Sequence, residues 1–114
     1  VIEQEHNVAQ HTSSRNTGKV HAPYLYNPEK KKLFAKTAFH GYDMWEQYCK
    51  LKNIPFKKDG VIEVAINQKD IKVLEKYCKW GKQNGLKDKD IELLDKEELK
   101  KIEPEIKCES ALYV

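Results

Sequence analysis

His11-Thr12-Ser13-Ser14-Arg15-Asn16-Thr17-Gly18-Lys19-Val20-His21 is the stretch from which the rest of the chain can be read. It places hydroxyls, an amide, a guanidinium, a glycine and two imidazoles in eleven residues, without a hydrophobic face. Ser, Thr and Asn side chains compete for backbone hydrogen bonds, so such a run favours caps and turns over helix interiors. Taken alone, it reads first as a solvated loop. It also carries the hydroxyls and backbone amides that contact phosphate or polyol groups. Arg15 is the only arginine among 21 basic residues, which sets it apart from the lysines.

Composition narrows the class. The chain has 114 residues, 34% charged and 39% hydrophobic, enough for one modest core or part of a larger one. Its net charge of +3 arises from basic and acidic residues in mixed runs, a solvated surface and not the single-signed patch of a nucleic-acid binder. Cys49, Cys78 and Cys108 are odd in number and widely spaced, which argues against a disulfide framework or a closed zinc site. Cys49 and Cys78 fall on apolar helix faces as inert thiols, and a reducing, cytoplasmic setting fits them. No apolar run reaches the length of a membrane span, although peripheral membrane contact stays open. His6, His11 and His21 form no HxH or HExxH arrangement, so a metal-dependent hydrolase is the weakest reading and no metal ligands are assigned.

Outward from the polar stretch, Val1-Ile2-Glu3 reads as the end of a strand tipped by an acid, and Ser13 to Thr17 as a short helical turn. Asn27-Pro28 is a helix start, with Asn as cap and Pro at the first helical position. Phe34, Ala38, Tyr42, Trp45 and Cys49 then recur every three or four residues as one core-facing stripe, which predicts a helix over about 28–52. Ile54-Pro55 cannot continue it. Val61 to Ile66 is a β-branched strand. Asn67 caps a helix with Asp70 behind it, Ile71, Leu74 and Cys78 face inward, and Gly85 ends it. Ile91 to Leu94 reads as a strand, Asp95 and Glu98 as a capping box, and Ala111 to Val114 as a last strand. Strands alternating with helices after residue 60 predict an α/β or α+β layer.

The order Glu3, Ser14 to Gly18, His21, Tyr26, Pro28, then Gly60 to Ala65, Asn84-Gly85-Leu86 and Glu103-Pro104 resembles the D-amino acid oxidase-like superfamily of FAD-dependent oxidoreductases. Within it, the likeness is to the L-2-hydroxyglutarate oxidase/dehydrogenase branch, with the glycerol-3-phosphate oxidases and dehydrogenases next. The resemblance implies a fragment of a Rossmann-type FAD-binding domain over 1–59 and part of a mixed-sheet substrate or cap domain over 60–114. It implies Glu3 on the adenosine ribose, and Ser13, Ser14, Arg15, Asn16, Thr17 and Gly18 along the ribityl and pyrophosphate of FAD. His21 is then the candidate catalytic base, since imidazole with a pKa of about 6.5 suits removal of a hydroxyl proton. The expected substrate is a small anionic 2-hydroxy acid or polyol phosphate, oxidised by hydride transfer to flavin. Ala22-Pro23 departs from the Ser-Gly or Gly-Gly of that superfamily.

The glycines at 18, 41, 60, 81 and 85 make no GxGxxG, which should precede the strand ending at Glu3, the second of such a fold, by about 20 residues. The expectation is therefore a piece of a longer enzyme, inactive by itself, whose cut strands and apolar faces favour self-association. A free-standing α/β interaction module without catalysis is the alternative from another class.

Overall fold

The computed structural model describes residues 2–114. Three helices, α1 (Lys32–Lys52), α2 (Gln68–Gln83) and α3 (Lys96–Ile102), accompany three strands, β1 (Ile62–Ala65), β2 (Glu92–Leu94) and β3 (Ser110–Tyr113). The strands form one antiparallel sheet in the order β1-β3-β2. The architecture is mixed α and β, with the last strand inserted between the first two.

Alternation along β3 gives the sheet two covered faces. Leu112 and Ala65 point to α2, where they meet Leu74, Cys78, Ile91 and Tyr24 in the main core. Ala111 points to the other side and packs with Leu94 and Leu99 under α3. Both β3 residues are fully buried, as the central strand of a sheet lined on both faces requires.

The caps form as the residue types dictate. Asn67 Oδ1 accepts from the amides of Lys69 and Asp70, and Asp70 Oδ2 accepts in return from the Ile66 amide. Asp95 Oδ1 accepts from the Glu97 and Glu98 amides, while Glu98 Oε2 accepts from the Asp95 amide, a reciprocal box. At the end of α2, Gly85 takes φ +107 while the Leu86 amide reaches back to the Gly81 carbonyl.

Three expectations need correction. Ile2 and Glu3 are not in a strand (Val1 lies outside the described residues), because no neighbouring strand among the described residues offers them a ladder. The first helix begins at Lys32 and not near Pro28: Asn27 Oδ1 caps the Glu29 and Lys30 amides, closing a separate turn over 28–31. The stripe on α1 is core only in part. Cys49 is buried, but Phe34 and Trp45 are 57% and 51% exposed, and the helix rests on the chain through Ala35 and Cys49.

The close approach of three elements depends on Gly81 of α2. A Cβ there would lie 2.6 Å from Ile91 Cδ1 and 3.1 Å from Tyr24 Cβ. Gly41 of α1, by contrast, has nothing within 4 Å of that position. Gly81→Ala should therefore destabilise the fold by about 1–3 kcal/mol through overpacking. Gly41→Ala should be neutral or stabilise by up to about 1 kcal/mol. Urea unfolding of the two variants checks the contrast, and equal effects would contradict it.

Candidate functional site

Residues 2–19 form a segment exposed except at half-buried Glu5 and ordered by its own hydrogen bonds. A single 3-10 turn spans Thr12–Ser14, with the Ser14 amide on the His11 carbonyl and the Arg15 amide on the Thr12 carbonyl. Ser14 Oγ donates to the His11 carbonyl, and Asn16 Nδ2 donates to the Ser13 carbonyl at 2.8 Å. Asn16 Oδ1 accepts from the Gly18 amide at 2.8 Å, which folds the loop around a glycine at φ +66. Serine and asparagine thus satisfy the loop from within, as their short side chains allow.

What is left over is a set of donors. Among the described residues, Ser13 Oγ, Thr17 Oγ1 and the Arg15 guanidinium make no hydrogen bond or ion pair. All three are exposed, and no atom lies within 4 Å of the position a Cβ on Gly18 would take. Glu3 Oε1 accepts from the Glu5 amide at 3.1 Å. His11 and Glu5 face one another at 2.8 Å. His21 is exposed where the loop meets the folded body. Hydroxyls, a guanidinium and an open glycine suit the phosphate and polyol portion of a dinucleotide. Nothing in the loop offers the apolar cover that a flavin ring requires. Among the described residues no three His, Cys, Asp or Glu side chains converge as a metal set.

The loop is attached to the core by a tyrosine-containing turn. Pro23–Leu25 is a 3-10 turn with Pro23 and Tyr24 buried. Asn84, at the end of α2, donates from Nδ2 to the Pro23 carbonyl at 2.9 Å and to the Tyr26 carbonyl at 2.7 Å. Tyr24 Oη donates to Glu63 Oε1 at 2.8 Å, tying the turn to β1. Burial, then the hydrogen bond and charge of Glu63, push the Tyr24 phenol well above its ordinary range. In the sequence Asn84 stands next to the helix-ending Gly85 and Tyr24 next to Pro23, with nothing local to name their partners. A buried tyrosine needs a partner for its hydroxyl, and that requirement was the available signal.

A mixed α and β chain with exposed hydroxyl and guanidinium donors on one loop has groups of the kind that contact phosphates. Residues 1–114 match the family described as FAD dependent oxidoreductase, DAO, and the chain belongs to that family, whose cofactor is FAD. Its relatives narrow the likeness further. It is 39% identical over 114 residues to a protein of Nematostella vectensis named L-2-hydroxyglutarate dehydrogenase, mitochondrial, covering all of this chain and 24% of that one. A protein named L-2-hydroxyglutarate dehydrogenase from Indibacter alkaliphilus is 34% identical over 114 residues, 28% of its length. The Homo sapiens protein named L-2-hydroxyglutarate dehydrogenase, mitochondrial, is 35% identical over 104 residues, 91% of this chain and 22% of its own. The chain spans about a quarter of the length of these curated relatives.

Tyr24→Phe tests the turn. Removing the phenol leaves Glu63 without its donor, at a cost of about 1.5–3 kcal/mol near neutral pH. The folded state keeps a phenolic proton that the unfolded chain releases near pH 10. That contribution is intact below about pH 10 and is lost as pH rises further. The exposed lysines 58, 82 and 96, raised by Glu46, Asp88 and Glu109, act in the same direction. Stability of Tyr24→Phe should consequently fall less steeply above pH 10 than that of the unaltered chain. Parallel curves, measured by urea unfolding at stepped pH, would remove Tyr24 from the account.

Proposed function

We propose that this chain is part of an FAD-dependent oxidoreductase acting on CH–OH, which oxidises a small 2-hydroxy acid of the L-2-hydroxyglutarate type. The observation that supports the reading is the identity, over 91–100% of the chain, to relatives bearing that name in Nematostella vectensis, Indibacter alkaliphilus and Homo sapiens. In this proposal Ser13, Ser14, Arg15, Asn16, Thr17 and Gly18 line the ribityl and pyrophosphate of FAD, and Glu3 takes the ribose hydroxyls. The free donors of Ser13, Arg15 and Thr17 suit the phosphate, and the open space at Gly18 admits close backbone approach. Residues 1–59 then belong to the cofactor domain and 60–114 to the substrate domain.

The chemistry that FAD supplies is acceptance of a hydride from the carbon bearing the hydroxyl. His21 removes the hydroxyl proton; its place, three residues past Gly18 and two before the buried Pro23, puts an exposed imidazole between the donor loop and the anchored turn. A cytoplasmic setting, with peripheral membrane contact, is part of the proposal. Several relatives are named mitochondrial, and the reducing character that free cysteines suit is what the reading requires. Among the described residues no helix is long and apolar enough to cross a membrane.

The test uses a polypeptide that joins this chain to a GxGxxG-bearing strand and to a C-terminal part. It should be yellow, and anaerobic L-2-hydroxyglutarate should bleach its flavin faster than glycerol 3-phosphate does. Reduction by glycerol 3-phosphate alone would replace the substrate assignment. Glu3→Ala should weaken FAD binding roughly tenfold to a hundredfold, the loss of hydrogen bonds to a carboxylate. His21→Gln should retain flavin while slowing single-turnover reduction by about 10²–10⁴-fold. Near-normal reduction in His21→Gln, with flavin retained, would exclude it as the base.

A further inference from the structure

His21 stands between a loop that holds only itself and a turn that is held firmly. Among the described residues, the hydrogen bonds of the donor loop all close within the loop, so none ties His21 to the folded body from that side. On the other side Ala22 packs against the main core, and Pro23 and Tyr24 behind it are buried. Ala22 takes φ −71 and ψ 160, the extended conformation that a residue before proline prefers, and the Pro23 ring locks the next φ. One stiff residue therefore separates the exposed imidazole from the turn. The turn itself is held by half-buried Asn84, the residue that follows α2. Its side-chain amide donates to the Pro23 carbonyl at 2.9 Å and to the Tyr26 carbonyl at 2.7 Å, which uses both of its protons. Its backbone amide donates to the Trp80 carbonyl at 2.9 Å, so the clamp is fixed to the end of α2.

We propose that Asn84 is a positioning residue for His21: its clamp on the Pro23–Tyr26 turn sets where the imidazole stands in the reaction. The inference rests on the proposed role of His21 as the base. A base takes a hydroxyl proton only within hydrogen-bond reach, about 2.6–3.2 Å between heavy atoms. A displacement of about 1 Å can cost roughly 100-fold in rate. Without Asn84, two part-buried carbonyls lose their donor and the turn is released from α2. Because Ala22 and Pro23 are stiff, a shift of the turn is passed on to His21. A purely structural Asn84 would alter how much flavin-loaded protein forms, and not the rate for each bound flavin. In the proposed division of the chain, His21 belongs to the cofactor part and Asn84 to the substrate part, so the clamp also registers one part against the other.

The test is a double-mutant cycle on the flavin-loaded polypeptide that joins this chain to a GxGxxG-bearing strand and a C-terminal part. The readout is the anaerobic rate of reduction for each bound flavin, at saturating L-2-hydroxyglutarate or glycerol 3-phosphate, whichever is faster. The substrate assignment then has no bearing on the outcome. Asn84→Ala should slow reduction by about 10–100-fold while the substrate dissociation constant changes by less than about threefold. In the His21→Gln background the same substitution should change the rate by less than about twofold, because a base already absent cannot be misplaced. If Asn84→Ala yields no folded holoenzyme, Asn84→Gln keeps both donors on a side chain one methylene longer, and should show the same coupled slowing. Equal slowing in both backgrounds, or reduction at the unaltered rate in the Asn84 variant, would overturn the inference and leave His21 as the base. Near-normal reduction in His21→Gln alone would overturn it differently, by removing the base that Asn84 is held to position.

Discussion

One side-chain amide organises the approach of the N-terminal half to the rest of the fold. Asn84 Nδ2 donates to two part-buried carbonyls of the Pro23–Tyr26 turn. The donor loop ends at that turn and α1 begins just after it, so its position fixes where both can go. Tyr24 adds the second tie, through Glu63 on β1. Gly81 provides the space beneath, since any larger residue would push Tyr24 and Ile91 away from α2. Two polar ties and an absent side chain therefore hold the loop to a core whose other members are apolar.

The molecule divides into a part that is satisfied and a part that is not. Beyond residue 60 the sheet has α2 on one face and α3 on the other, and the middle residues of its central strand, Ala111 and Leu112, are fully buried. The first half has no layer of its own. The loop satisfies itself through Ser14, Asn16 and Glu3, and leaves Ser13, Arg15 and Thr17 free to act on something else. Helix α1 buries Ala35 and Cys49 and presents large apolar side chains outward. The apolar side chains of α1 leave hydrophobic area in water, whereas the loop's exposed donors are hydrated without penalty and remain open to a partner.

The elements whose causes are local were legible in the sequence. Asn67 with Asp70, and Asp95 with Glu98, cap helices by contacts within four residues, and Gly85 ends α2 through its own backbone torsion. Period-two and period-3.6 patterns placed β1, β3 and α2 within a residue or two. The order of polar motifs carried the family, and with it the cofactor. What the local pattern could not supply was the partner of each surface. The acid-tipped strand at Val1-Ile2-Glu3 failed among its described residues because a strand exists only through its neighbours. The α1 stripe was misread for a related reason: spacing shows that apolar residues share a face, and not whether anything lies against it. The clamp of Asn84 spans 61 residues to Pro23, and Tyr24 spans 39 to Glu63. Only the folded chain brings those groups within 3 Å, since a hydrogen bond depends on distance in space, to which separation along the chain is blind.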